Sequence, residues 1–152
     1  MWSHYADKHR GIVIEFDVRS PIFTGGKGLR PVKYVHNRPR WDIAAVLGSL
    51  SEKAQIDPII LHKNEEWSYE KELRHLYMLE GLKRRSLENG RIGYFRAVPA
   101  DSIVSVRLGM FCERSIIREV VGLCRRMAKV TLKQAVPSDT EFAMRTKDLI
   151  PV

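Results

Sequence analysis

The chain has 152 residues and a formal net charge of +8 at pH 7. Its length fits one domain over residues 1–152, and its composition, 44% hydrophobic and 29% charged, excludes wholesale disorder. No apolar run approaches the roughly 20 residues that a membrane-spanning helix needs. The surplus of cations favours a phosphate-bearing ligand or nucleic acid as a partner.

Three further features refine this picture. The cations are not interleaved with a regular aromatic pattern, so the sequence does not indicate a platform that stacks single-stranded bases. Two cysteines, Cys112 and Cys124, match no metal-ligand spacing. The first residues lack the basic-then-apolar pattern of a secretory signal. We therefore expect a reduced, cytoplasmic protein that does not associate with membranes.

The first half of the chain predicts short strands followed by helices. Residues 11–18 alternate between apolar and polar side chains, which is typical of a strand with one buried face. That face carries Ile12, Ile14 and Phe16. Turn residues and helical spacing then predict four more elements. These are a loop over 19–30, a strand over 31–35, a helix over 42–53 capped by Asp42, and a helical segment over 58–63.

The second half predicts a hairpin, further strands and the clearest helix. Residues 67–79 are ambiguous by periodicity, and we interpret them as a turn to Tyr69 followed by a strand to Leu79. The remaining elements are a hairpin connection over 83–90, strands over 92–98, 103–108, 130–136 and 142–145, and a helix over 113–127. The apolar stripe of that helix is Ile116, Ile117, Val120, Val121, Cys124 and Met127. The order indicates an α+β domain, a mixed, mostly antiparallel sheet with two to three helices packed on it.

The opening segment, WSHYADKHRGIVIEFD, places aromatic and histidine side chains directly before the first strand. His4 can titrate near neutral pH and Tyr5 offers a phenolic donor, while His9 and Arg10 lie at the mouth of the strand. The two histidines are five residues apart, off the helical spacing of a zinc motif, so no metal site is predicted. The alternative is a packing pair of Trp2 and Tyr5 with surface histidines.

A second polar group follows Trp67 and Tyr69. In an extended chain Glu70 and Glu72 point to the same side, about 7 Å apart, with Arg74 beyond them. Carboxylates this close raise each other's pKa, so one acts as acid or base while the other stays ionised. The neighbouring rings can form the wall of a ligand pocket. If the stretch is helical instead, Glu70 and Arg74 form an ordinary i,i+4 ion pair.

Three blocks occur in order along the chain: the opening segment, Lys63 with the W-x-Y-E-x-E-x-R pattern that starts at Trp67, and the segment from Phe95 to Gly109. Together they resemble the domain-of-unknown-function family 2971, over most of residues 2–109. The resemblance implies a bacterial protein without an agreed activity. Family members carry a portion upstream of the opening segment, so we expect this chain to lack it. The sheet edge left open favours a homodimer.

The E-x-E pair that leads into a strand is also similar to the catalytic turn of ADP-ribosyltransferase toxins. That resemblance implies that Glu72 holds a ribose hydroxyl of NAD and that Glu70 orients the acceptor. It also implies that His4 and Tyr5 cradle the nicotinamide. We expect the opening segment and the acidic pair to line one cleft.

Three classes of function stay open, and the sequence does not decide whether the protein is an enzyme. The first is a binding domain with a polar ligand site, a component of a stress or phage-defence operon. The second is the NAD-using transferase. The third is a metal-dependent nuclease that uses Asp17, Glu70 or Glu72 with Lys63 or Lys71. The candidate catalytic residues are Glu70, Glu72 and His4. The candidate ligand-binding residues are Tyr5, His9, Arg10, Lys63, Trp67, Tyr69 and Arg74.

Overall fold

A computed structural model describes residues 2–25, 28–40, 60–127 and 129–149. The chain divides into two compact units, one formed by residues 1–22 with 82–152 and the other by residues 23–81. Each unit has sheets of its own. The single domain expected over the whole chain stays a prediction.

The described elements are short strands with few helices. The strands are β1 (Ile12–Phe16), β2 (Leu29–Pro31), β3 (Lys33–Val35), β4 (His62–Asn64), β5 (Leu73–His75), β6 (Lys83–Ser86), β7 (Ile92–Phe95), β8 (Ile103–Leu108), β9 (Thr131–Pro137) and β10 (Met144–Asp148). The α-helices are α1 (Trp2–Tyr5), α2 (Pro21–Thr24) and α3 (Arg114–Cys124), and 3-10 helices cover Glu65–Glu70 and Ala100–Ser102.

The main sheet of the first unit has the strand order β1-β8-β9-β10. The outer pairs, β1 with β8 and β9 with β10, are antiparallel, whereas the central pair of β8 and β9 is parallel. A parallel pair needs a crossover connection, and α3 supplies it between β8 and β9. The mixed, mostly antiparallel sheet confirms the predicted α+β class.

Helix α3 covers one face of this sheet. Its buried Val120 joins Val106, Leu108 and Leu132 in the hydrophobic core. Three more residues of the predicted stripe pack against this core: Ile117, Val121 and Cys124. Ile116 is 36% exposed. Burial of an aliphatic side chain contributes about 1.5–3 kcal/mol, so these contacts hold the helix on the sheet.

The apolar face predicted for β1 is only partly covered. Ile12 lies opposite Leu108 and Ile14 opposite Val106, so both isoleucines face the side of the sheet that carries the core. They are nevertheless 37% and 41% exposed. Strand β1 is at the edge of the sheet, whereas α3 packs over the inner strands. The prediction that this face is buried is therefore wrong for the two isoleucines.

Two small sheets build the second unit. Strand β2 is antiparallel to β5, and β3 is parallel to β4, which sets Tyr34 beside Lys63. The 3-10 helix follows β4 directly because Asn64 caps it, accepting a hydrogen bond from the Glu66 N–H over 2.9 Å. It ends at Lys71, whose φ of 47° is left-handed.

Several predictions for residues 19–79 need correction. The loop expected over 19–30 contains α2, because Pro21 is a favourable first residue of a helix. The strand expected to reach Leu79 is limited to β5, since the 3-10 helix and the left-handed Lys71 occupy the residues before it. The segment expected to be helical over 58–63 changes to strand at His62. The helix expected over 42–53 lies outside the described residues.

Candidate functional site

The opening segment forms α1 and then a tight left-handed turn. Asp7, Lys8 and His9 have φ values of 43°, 50° and 67°. Each ordinary residue in this region costs roughly 1–2 kcal/mol relative to right-handed backbone. The Gly11 N–H closes the turn by donating to the Ala6 carbonyl over 2.8 Å. Backbone strain of this kind is concentrated at functional sites in proteins.

The turn places His9 in an aromatic cluster at the end of the main sheet. Its ring stacks on Trp2, with centroids 6.1 Å apart and planes 9° apart, and meets the edge of Phe111 at 6.5 Å. The Phe111 N–H donates to the His9 carbonyl over 2.9 Å, and the Gly109 N–H donates to the Gly11 carbonyl over 2.9 Å. A Cβ atom on Gly109 would collide with the His9 carbonyl oxygen, so only glycine permits this approach.

The His9 imidazole carries a buried polar atom, Nδ1, that has no hydrogen-bond partner within the described part of the chain. Such an atom costs roughly 1–3 kcal/mol. His9 is half-buried rather than at the surface, whereas His4, Tyr5 and Arg10 are exposed. The structure therefore gives His9 an environment different from that of its three neighbouring candidates.

The second group of candidates comes together in the second unit. We define the Lys63 cluster as Lys63, Trp67, Tyr69, Glu70, Glu72 and Arg74. Strand β4 supplies Lys63, the 3-10 helix supplies the two rings and Glu70, and β5 supplies Arg74. The left-handed Lys71 turns the chain between the two glutamates. Six of the candidate side chains thus belong to one local arrangement.

The charged groups of the Lys63 cluster form a continuous network. Lys63 Nζ contacts both Glu70 Oε2 and, at 3.3 Å, Glu72 Oε2. Arg74 donates to both oxygens of Glu72, from Nε over 2.6 Å and from NH2 over 3.1 Å. Arg74 NH1 also donates to the Ile60 carbonyl. The pair expected for a helix, Glu70 with Arg74, is replaced by a bidentate pair of Glu72 with Arg74.

Aromatic rings lie beside these charges. Lys63 Nζ is 4.8 Å from the centroid of the Trp67 ring, within the range of a cation–π interaction. Trp67 and Tyr69 have centroids 6.2 Å apart and planes inclined by 30°. Tyr69 is 56% exposed. The Lys63 cluster therefore presents an open ring next to two cations and two carboxylates.

The cations reverse the pKa change expected for Glu72. The hydrogen bond from Arg74 lowers the pKa of the Glu72 carboxyl most, and the hydrogen bond from Lys63 lowers it further against the opposing effect of burial. The sequence-based expectation of mutually raised carboxylate pKa values is therefore wrong for Glu72. Glu72 stays ionised at neutral pH and can accept hydrogen bonds.

Residues 1–75 match the family model described as protein of unknown function, DUF2971. Over this stretch the chain is similar to the DUF2971 family. The match includes the opening segment and the Lys63 cluster, and it confirms the family that the sequence resembles. No curated protein and no solved structure matches the chain.

The two groups of candidate residues lie in different compact units. His4, Tyr5, His9 and Arg10 belong to the first unit, and the Lys63 cluster belongs to the second. Each group is built by contacts within its own unit. The expectation that both line one cleft stays a prediction.

Sequence reasoning missed Tyr34, which supports the Lys63 cluster. Its hydroxyl accepts a hydrogen bond from the Glu72 N–H over 2.8 Å. The two residues are 38 positions apart, and the parallel pairing of β3 with β4 that brings Tyr34 to the site leaves no local pattern. Tyr34 is therefore a positioning residue that only the fold identifies.

A second missed cluster stabilises the main sheet. Glu15 Oε2 accepts hydrogen bonds from Ser105 Oγ over 2.5 Å and from Arg107 NH2 over 2.8 Å. The hydrogen bond from Ser105, followed by that from Arg107, lowers the pKa of Glu15. The register places Glu15 directly opposite Ser105. The alternation of polar residues in the two strands was a signal for this contact, but the pairing of the strands was not visible.

Two kinds of feature are absent from residues 2–25, 28–40, 60–127 and 129–149: a metal cluster and a membrane-spanning helix. No group of three or more His, Cys, Asp or Glu residues there is arranged to hold a metal ion. No helix among these residues is long and apolar enough to cross a bilayer. Cys112 and Cys124 are free, and burial raises the pKa of both thiols, so neither is activated as a nucleophile.

Proposed function

We propose that the Lys63 cluster is a polar ligand site that binds a nucleotide of the NAD type. The observation that carries this proposal is the position of Lys63, whose Nζ contacts both carboxylates and lies over the Trp67 ring. A nucleotide offers a partner for each kind of group present. Its base stacks on an aromatic ring, its hydroxyls donate to carboxylates, and its phosphates attract cations.

The roles follow from exposure and charge. The exposed ring of Tyr69 offers the stacking surface. Glu72 is 30% exposed in its side chain and ionised, so a ribose hydroxyl can donate to it. Lys63 and Arg74 are 20% and 29% exposed. Both are held by Glu72 and are therefore ordered before a phosphate arrives, which lowers the entropy cost of binding.

ADP-ribosyl transfer is the second candidate, and the ionised Glu72 favours it. When the bond between the ribose C1′ and the nicotinamide nitrogen breaks, the electron pair leaves with nicotinamide and positive charge develops on the ribose. A carboxylate that holds the ribose stabilises this charge. Glu70 would orient the acceptor that bonds to C1′. The contact of His4 and Tyr5 with the nicotinamide requires that the opening segment and the Lys63 cluster line one cleft, as the sequence predicts.

The nuclease has less support. It needs acidic ligands for a metal ion, and the carboxylates of the Lys63 cluster are already engaged by Lys63 and Arg74. Asp17 is paired with Arg19, whose NH2 lies 2.9 Å from Oδ2. A metal ion would have to displace these cations.

Partners, location and role follow from the same reasoning. A homodimer would pair through β1 or β10, which are the edge strands of the main sheet. The free cysteines are consistent with a reducing cytoplasm. A place in a stress or phage-defence operon is compatible with a nucleotide-binding domain.

The proposal is tested by thermal unfolding of the wild type with increasing NAD. A ligand that binds only the native state raises the melting temperature by mass action. We expect a concentration-dependent rise for the wild type and none for Glu72→Gln. Release of nicotinamide from the same samples distinguishes transfer from binding alone.

The matched control is Glu15→Gln. It removes an ionised glutamate that is also paired with an arginine, but in the main sheet of the other unit. We expect Glu15→Gln to keep the full response to NAD. No response in the wild type, or an equal response in Glu72→Gln, would refute the proposed site.

A further inference from the structure

Strands β6 and β7 form a two-stranded ribbon, which we call the basic ribbon (residues 82–96). They pair antiparallel, and the connection turns at Gly90, whose φ of 75° favours glycine. The Gly90 N–H donates to the Leu87 carbonyl over 2.9 Å, and Asn89 Oδ1 accepts from the Arg91 N–H over 3.1 Å. These two hydrogen bonds and the positive φ of Gly90 define the turn of the ribbon.

The basic ribbon concentrates the charge of the chain. It contains five cations, Lys83, Arg84, Arg85, Arg91 and Arg96, and one acid, Glu88, which gives a net charge of +4 out of the chain's +8. Within the described residues, the first four of these cations form no ion pair with a carboxylate. These four charges are therefore available to an external anion.

The register interleaves these cations with aromatic rings. Arg84 lies opposite Tyr94, and Lys83 lies opposite Phe95, whose ring centroid is 5.7 Å from the Arg85 guanidinium carbon. Tyr94 and Phe95 are 45% and 42% exposed. The sequence expectation of no cation–aromatic interleaving is wrong here, because the pairing of strands creates a pattern that neither strand has alone.

Both faces of the basic ribbon carry a cation beside an exposed ring. Adjacent residues of a strand point to opposite faces, so Arg84 with Tyr94 occupies one face and Arg85 with Phe95 the other. An interfacial membrane element instead needs one apolar face. A rigid duplex hides its bases from aromatic rings. A single strand, in contrast, has exposed bases that can stack on the rings and a flexible anionic backbone that can reach the cations on both faces.

We propose that the basic ribbon binds single-stranded nucleic acid. Lys83, Arg84 and Arg85 contact phosphates, and Tyr94 and Phe95 stack on bases. Base–aromatic stacking and phosphate neutralisation are the two contributions that bind single strands without sequence preference. The basic ribbon belongs to the first unit and shares no residue with the Lys63 cluster of the second unit, so the proposal does not depend on NAD binding.

Fluorescence anisotropy with labelled oligo(dT) of 20 nucleotides tests this, at several salt concentrations. Each lost phosphate contact reduces the salt slope by about 0.7 for single strands. Arg84→Gln/Arg85→Gln should weaken binding at least tenfold and lower the slope by about 1.4. Tyr94→Leu/Phe95→Leu should weaken binding at least fivefold per ring and leave the slope unchanged.

The control is Arg125→Gln/Arg126→Gln, which removes the same charge from two exposed arginines after α3. We expect this variant to bind oligo(dT) within twofold of the wild type. Circular dichroism of each variant checks that it is folded, and we expect all of them to fold because the substituted side chains are exposed. Equal losses in the control, unchanged binding in the aromatic variant, or preferential binding of duplex DNA or phosphatidylserine vesicles would overturn the proposal.

Discussion

Arg74 donates two hydrogen bonds to the carboxylate of Glu72, from Nε to Oε1 over 2.6 Å and from NH2 to Oε2 over 3.1 Å. Bidentate pairs of this kind combine charge with fixed geometry. Lys63 approaches Oε2 of the same carboxylate at 3.3 Å. Glu72 is thereby held ionised and oriented, which is the state that a hydroxyl-bearing ligand needs.

This pair predicts a pH-dependent contribution to stability. The pKa of Glu72 is lowered from its ordinary 4.5 in the native state. The ion pair of Glu72 with Arg74 therefore stabilises the native state fully above pH 4.5, and this stabilisation is lost as the pH falls through the native pKa. Glu72→Gln should reduce the free energy of unfolding by about 1 kcal/mol at pH 7. Urea unfolding should show this difference shrinking steadily below pH 4.5. A constant difference down to pH 2 would contradict the assignment.

The close approach of Gly109 to the His9 carbonyl predicts that adding one carbon atom at this position strongly reduces stability. A Cβ there meets the His9 carbonyl and lies 2.9 Å from the Gly11 oxygen, so Gly109→Ala should cost about 2–3 kcal/mol in free energy of unfolding. Gly122→Ala is the control, because a Cβ at this position in α3 has nothing within 4 Å. It should stabilise by about 0.5–1 kcal/mol. Similar values for the two variants in urea unfolding would disprove the close approach.

The left-handed backbone of the turn predicts that replacing Lys8 by glycine stabilises the native state. Lys8 has a φ of 50°, and its replacement by glycine removes a steric cost of roughly 1–2 kcal/mol while adding unfolded-state entropy. The net gain for Lys8→Gly should be about 0.5 kcal/mol. Lys147→Gly, in the exposed strand β10, should instead lose about that much. A loss of stability in Lys8→Gly would mean that the Lys8 side chain makes a compensating contact.

Local patterns predicted much of the first unit. Period-two alternation identified β1, and the apolar stripe identified α3, because both patterns lie in consecutive residues. The exposure of Ile12 and Ile14 was not predictable in the same way. It depends on β1 being an edge strand, which is a property of topology.

The Lys63 cluster was predicted in its membership but not in its chemistry. The motif spacing selected Glu70, Glu72 and Arg74 correctly as neighbours. Their ion pairs depend on the left-handed Lys71 and on the parallel pairing that brings Lys63 to the carboxylates. Neither feature has a recognisable pattern in the sequence. The sequence therefore predicted a raised pKa for Glu72, whereas the ion pairs lower it.

The most direct test of the proposed site follows the indole N–H signals of the tryptophans by NMR during a titration with NAD. The chain has three tryptophans, and single Trp→Phe variants assign the Trp67 signal. A nucleotide that stacks on Tyr69 lies beside Trp67, whose ring centroid is 6.2 Å from that of Tyr69. We predict a saturable shift of the Trp67 signal in the wild type that is lost in Glu72→Gln. A Trp67 signal that does not move at millimolar NAD would contradict the account.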